Sequence, residues 1–179
     1  IGSGTGSVAG EIAGLSETVH VYAIERKPEA VELLRKNREH FHMDNMEIIE
    51  ALAPEGLEEL PVPTHAFIGG SGGRLMDILQ TLYRKNPHMR IVINAISMET
   101  IAELQEVLEA FPVEDGEILQ MQVNRVKKLG SYHLPQAENP VWICSFTFRE
   151  GEKGSMDKVK KALLTEEENG NRENAEVQR

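Results

Sequence analysis

Gly2, Gly4 and Gly6 alternate with small polar residues in the opening stretch Ile1-Gly2-Ser3-Gly4-Thr5-Gly6-Ser7, and an acid, Glu25, stands twenty-three positions after the first of them. Glycine accepts positive φ and has no Cβ, so such a turn lets backbone amides close on a ligand at the head of the helix that follows. Glu25 ends the apolar run Val19-His20-Val21-Tyr22-Ala23-Ile24, which reads as a β-strand. A carboxylate at the tip of a second strand, at about this interval from a glycine turn, is placed to accept hydrogen bonds from the two hydroxyls of a ribose. Together the turn and the acid predict a nucleoside site. A second cluster, Gly69-Gly70-Ser71-Gly72-Gly73, has four glycines in five positions. A helix-entry turn needs one or two glycines for its dihedrals, so the excess predicts close approach of a second ligand.

The elements that must hold these residues are strands and helices in alternation. Val8, Ile12 and Leu15 keep helical spacing after the first turn. Pro28 suits the first turn of a helix carrying Val31, Leu34 and Phe41 on one face, with Glu32, Arg35, Lys36 and Glu39 on the others. Met46 to Ile49 is the next strand, then Ala51-Leu52-Ala53-Pro54 and a short helical turn through Leu57 and Leu60, stopped by Pro61 and Pro63. Ala66-Phe67-Ile68 is a strand leading into the second glycine cluster, and Leu75, Ile78, Leu79 and Leu82 mark an amphipathic helix. The fifth strand is 90–96. Ser97 is an N-cap for a helix with Ile101, Leu104, Leu108 and Phe111.

After that the pattern changes. Residues 117–126 read as a strand, 127–139 as a long loop, and Pro140 to Phe148 as a last strand whose Trp142 and Phe146 face the core. No helix fits between these two strands, so they pair antiparallel. Both glycine turns then lie at the carboxyl edge of a mostly parallel sheet, where ligands of such sheets bind. A sheet of this plan has a central strand before its first turn. Ile1 is read as the end of that strand, so the expectation is a strand upstream of it.

At 179 residues the chain holds one domain with a sizeable core. The expected division is a ligand-binding domain over 1–150 and a charged tail over 151–179, with a short helix at 155–164 and disorder after Thr165. The net charge of −10 argues against a nucleic-acid partner, whose affinity needs a basic footprint. The single Cys144 excludes an intrachain disulfide and fits a reducing cytoplasm. No apolar run approaches the roughly 20 residues of a membrane span, so no membrane partner is expected. His40 and His42 are two apart at a helix end and point apart, so no metal site is expected.

The first turn lacks the glycine that a dinucleotide pattern places where Ser7 stands, and its spacing resembles the S-adenosylmethionine turn of class I methyltransferases. Taken with Tyr22 to Arg26, Ala53-Pro54-Glu55, Ile68 to Gly73, Ala95-Ile96 with Glu99-Thr100, and Glu138 to Val141, the chain over about Ile1 to Phe148 resembles the decarboxylating precorrin methyltransferases of cobalamin synthesis. That domain type is also the C-terminal half of precorrin-6Y C5,15-methyltransferases. The resemblance implies a Rossmann-like α/β fold, a mostly parallel seven-stranded sheet with an antiparallel last strand, and methylation of carbon 15 of a precorrin with decarboxylation of its ring-C acetate.

It further implies that Gly2, Ser3, Gly4, Thr5 and Gly6 line the methionine part of S-adenosylmethionine, that Glu25 takes the ribose beside Arg26, and that Ala51, Leu52 and Ala53 edge the adenine. Some relatives carry Gly-Asp where Ala51-Leu52 stand, so adenine recognition here falls on backbone groups and apolar contact. Gly69 to Gly73 pass between donor and tetrapyrrole, with Gly70, Ser71 and Gly72 toward the substrate. A meso carbon of the tetrapyrrole attacks the methyl in line, so alignment is the main demand on the protein. Substrate carboxylates call for cations, and Arg74, Arg125, Lys127 and Lys128 are candidates, with His133 in the long loop beside Tyr132. A homo-oligomer is expected, fused to or paired with a carbon-5 precorrin methyltransferase domain. Two other readings stay open: the same fold methylating tRNA or protein, and a non-catalytic S-adenosylmethionine-binding half that serves assembly.

Overall fold

The computed structural model describes residues 1–151. The expected helix at 155–164 and the disorder beyond it lie outside the described residues. In chain order the elements are α1 (Ser7–Ala13), β1 (Val21–Glu25), α2 (Pro28–His40), β2 (Met46–Glu50), β3 (His65–Ile68), α3 (Leu75–Lys85), β4 (Arg90–Ala95), α4 (Met98–Ala110), β5 (Val113–Met121), β6 (Asn124–Leu129), β7 (Tyr132–Ala137) and β8 (Val141–Phe148).

β1 and β2 pair in parallel, and a second sheet runs β3-β4-β8-β5. β3 and β4 are parallel, while β8 is antiparallel to both β4 and β5. Residues Ile1 to Ser3 join the two sheets: the Gly69 amide donates to the Ile1 carbonyl at 2.9 Å, and the Ser3 amide donates to the Ile24 carbonyl at 3.0 Å. Both glycine turns therefore sit at one edge, as their placement after strands predicts.

α3 follows its sequence pattern closely. Leu75, Ile78, Leu79 and Leu82 are all buried and pack with Ile91, Ile93, Phe146 and Phe148 in the main core. Each such side chain contributes roughly 1.5–3 kcal/mol on burial, which fixes the helix behind the second glycine turn. α4 begins as expected, with Ser97 Oγ accepting from the Thr100 amide at 3.2 Å. β8 places Phe146 at the centre of the core, with Trp142 partly buried against it.

Four local expectations change. α1 ends at Ala13 and buries Ala9, Gly10 and Ala13, while Val8 and Leu15 are exposed. Its small face permits close seating: a Cβ on Gly10 would lie 2.9 Å from Met43 Cε. In α2 the buried pair is Val31 and Leu34, and Phe41 lies outside the helix end, exposed. The segment after β2 forms turns rather than a helical turn, anchored by buried Leu57. Finally, the strand expected at 117–126 ends at Met121, and the long loop is instead the antiparallel hairpin β6–β7, every residue of which is exposed. With both faces in solvent, its side chains have no apolar alternation to show.

Candidate active site

The two glycine turns are packed directly on each other. Gly2 has φ +65°, and a Cβ there would lie 2.7 Å from the Gly70 carbonyl oxygen and 2.8 Å from its nitrogen. No side chain fits at such distances, so Gly2 is fixed by contact as well as by dihedral. Gly70 is different. Its φ is outside the left-handed region and a Cβ on it would meet nothing within 4 Å. Neither geometry nor packing within the chain requires glycine there, and the residue faces a cleft.

That cleft has a volume of about 200 Å³ and is lined by Ile1, Gly2, Ile24, Glu25, Arg26 and Lys27 on one side and by Ala51 to Ala53 and Gly70 to Gly72 on the other. Of the residues expected in the site, it brings together Gly2, Glu25, Arg26, Ala51, Leu52, Ala53, Gly70, Ser71 and Gly72. Ser3, Gly4, Thr5, Gly6 and Gly69 are not part of this lining. Gly6 is the left-handed N-cap of α1, with φ 88°. A Cβ on Gly69 would lie 3.2 Å from the Gly2 carbonyl oxygen. Lys27 was not foreseen; its only sequence signal is its place two residues after the acid.

Glu25 is buried, yet its carboxylate is fully provided for on one side. Oε1 accepts from the amides of Arg26 at 2.9 Å and Lys27 at 3.0 Å, and Oε2 accepts from the Gly4 amide at 2.8 Å. Burial is the largest influence and works against the charge. The amides of Lys27, Gly4 and Arg26, with the Lys27 ammonium, outweigh it and hold the carboxyl below the usual glutamate range. Oε2, which accepts from one amide, keeps a lone pair for a hydroxyl donor.

The cations are placed differently from expectation. Arg74 is engaged: its Nη1 donates to both Glu55 oxygens at 2.8 Å, and its Nε to Asp77 Oδ2 at 3.4 Å. Arg125 pairs with Glu138 on the exposed hairpin at 3.1 Å, and His133, Lys127 and Lys128 lie on the same hairpin, outside the cleft lining. The cations that line the cleft are Arg26 and Lys27, the latter near enough to Glu25 to favour its charge. A larger depression of about 1130 Å³ lies over α1 and the end of α2, lined by Val8, Ile12, Leu15 and Phe41 among others. It lacks the convergence of acid, cations and glycine turns, so the smaller cleft is the candidate site.

Comparison with known proteins identifies the family. The family model described as a precorrin methyltransferase domain matches residues 1–147. A probable cobalt-precorrin-6B C(15)-methyltransferase (decarboxylating) from Methanothermobacter thermautotrophicus is 37% identical over 143 residues, which is 79% of this chain and 73% of the relative. The crystal structure of precorrin-6y C5,15-methyltransferase from Geobacter metallireducens superposes with a TM-score of 0.75 at 34% identity, covering 82% of this chain and 77% of that one. An S-adenosylmethionine-dependent O-methyltransferase from Thermotoga maritima, 14% identical with a TM-score of 0.66 over 85% of this chain and 58% of its own, shares the fold. With a Rossmann-like class I methyltransferase fold and a match across nearly all of its described residues, this chain belongs to the precorrin methyltransferase domain family.

Proposed function

We propose that residues 1–150 form an S-adenosylmethionine-dependent enzyme that methylates carbon 15 of a precorrin and decarboxylates its ring-C acetate during corrin synthesis. The observation that carries this reading is the shared cleft, in which the ribose-type acid Glu25 and the open glycine Gly70 face one another across packed turns.

The residues fit the donor. Glu25 Oε2 has capacity for a ribose hydroxyl, Ala51 to Ala53 offer an apolar edge for adenine, and the backbone at Gly2 and Gly70 leaves its ligand side free of side chains. When bound, the donor supplies an electrophilic methyl group. The chain's own part is alignment, which is the largest service a protein can give to an in-line transfer. Gly70 to Gly72 offer a surface without bulk to a flat macrocycle, while Arg26 and Lys27 are the cations placed to meet its carboxylates. Gly4 to Gly6 extend the donor site along the rim toward α1.

The chain is further read as a subunit of a homo-oligomer that pairs with, or is fused to, a carbon-5 precorrin methyltransferase domain. The exposed hairpin, with Val126, Leu129, Tyr132 and Leu134 all in solvent, supports a role in assembly. Among the described residues no helix is long and apolar enough to cross a membrane, and buried, unpaired Cys144 suits the cytoplasm.

The test is calorimetric titration with S-adenosylmethionine and with a nicotinamide dinucleotide. Tighter binding of S-adenosylmethionine is expected. Tighter binding of the dinucleotide removes the methyltransferase reading of the cleft.

A further inference from the structure

The turn that edges the candidate adenine site, residues 51–57, and the turn that faces the macrocycle, residues 69–73, belong to different strands and different sheets. Something must set the distance between them. Two contacts span the gap at the cleft. Leu52 approaches Gly72, where a Cβ would lie 3.5 Å from Leu52 Cδ1. Above it, Arg74, the residue that enters α3, reaches across to Glu55 with both carboxylate oxygens at 2.8 Å and is steadied by Asp77 from within its own helix.

This bridge is the first of a row. Arg84 Nη2 donates to Glu58 Oε1 at 3.0 Å, Lys85 Nζ donates to the carbonyls of Glu58 at 2.8 Å and Leu60 at 2.7 Å, and Asn86 Nδ2 donates to the Pro63 carbonyl at 2.9 Å. Donors from the N-terminal end of α3 to just past its last turn thus belt the segment 55–63 onto that helix. Most of these anchors lie far from the cleft. Arg74–Glu55 is the polar anchor beside it, and with the buried Ala53 and Leu57 it sets how the adenine-side turn meets the glycine turn. The guanidinium is also occupied, with its geometry satisfied by two acids, and is not presented to the cleft.

We propose that Arg74 and Glu55 are a positioning pair for the methyl donor: by clamping the 51–57 turn to the head of α3, they hold Leu52 and Ala53 at the spacing from Gly70 to Gly72 that the bound nucleoside requires. This rests on the S-adenosylmethionine reading of the cleft. It assigns Arg74 to the donor side of the reaction and removes it from recognition of the tetrapyrrole's carboxylates.

The test is titration of the full chain with S-adenosylmethionine, alongside steady-state kinetics with the tetrapyrrole at saturating donor. Arg74→Ala and Glu55→Ala should each weaken donor binding by about fivefold, the upper range for an exposed ion pair. The double variant should be no weaker than either single one. Arg74→Lys should recover most of the affinity. Tetrapyrrole KM should stay within about twofold of wild type, because the Arg74 guanidinium is held by Glu55 and Asp77 outside the cleft lining. The proposal is overturned if the single losses multiply in the double variant. It is equally overturned if Arg74→Ala leaves donor affinity intact and raises the tetrapyrrole KM, which would make Arg74 a substrate ligand. Failure of the wild-type chain to bind S-adenosylmethionine is a separate result that strikes the proposed function itself.

Discussion

Glu25 holds the fold with the same two oxygens that the proposed function assigns to a ribose. Three backbone amides already point at it, so replacing it with alanine strands the amides of Gly4, Arg26 and Lys27 as well as removing a ribose acceptor. Glu25→Ala should therefore weaken S-adenosylmethionine binding by about 1.5–3 kcal/mol, the usual worth of a charge-assisted hydrogen bond, and should also lower the melting temperature. Calorimetry of binding and of unfolding on the same variant checks both; a large affinity loss with an unchanged melting curve would show that the amides find other partners. A pH dependence follows from the same residue. Its folded pKa is depressed, so the unfolded chain binds more protons in the acid range, and stability rises with pH there. The contribution is complete above the ordinary glutamate pKa and is lost as pH falls through the folded value. Glu25→Gln should flatten that part of the stability–pH curve, and an unaltered acid limb in the variant would assign it to other carboxylates.

At the scale of elements, the second glycine turn separates backbone demand from ligand demand. Gly72 and Gly73 have φ of 64° and 80°, so side chains there strain the chain whatever binds. Gly70 has no such constraint and open space beside it. Gly70→Val should keep the melting temperature while losing precorrin methylation; full turnover in this variant would reduce the turn to a connector. Much of this layout was legible in the sequence, because strand and helix periods are imposed wherever one face is buried, as for Ile78, Leu79 and Leu82 on α3. It failed where that condition fails. α1 was legible as a helix but not in its buried face, which is Ala9, Gly10 and Ala13 rather than Val8 and Leu15, and β6–β7 buries nothing, so its residues read as a loop. The Arg74–Glu55 pair was hidden for another reason: the partners are nineteen positions apart and meet only through the packing of α3.

For the whole molecule, the hairpin is the least self-sufficient part. A two-stranded ribbon with both faces wet is marginal by itself, and this one carries Leu129 and Tyr132 as a cross-strand pair, 67% and 72% exposed. It also carries Arg125, Lys127 and Lys128 on a chain of net charge −10, while β5 presents Glu114, Asp115 and Glu117 near the other end of the outer strand. If the hairpin joins copies of the chain, Leu129→Glu with Tyr132→Glu should shift the mass measured by light scattering toward the monomer without changing the core's melting; an unchanged mass would free the hairpin from that role. The chemistry of the cleft is read out by the reaction itself. The chain is incubated with methyl-labelled S-adenosylmethionine and a precorrin carrying the ring-C acetate, offered with and without cobalt, and the product is weighed by mass spectrometry. The account predicts one labelled methyl gained at carbon 15 and one carbon dioxide lost, in equal amounts, with both changes abolished in Gly70→Val. A macrocycle recovered unlabelled with its acetate intact, from a chain shown to bind the donor, would contradict it.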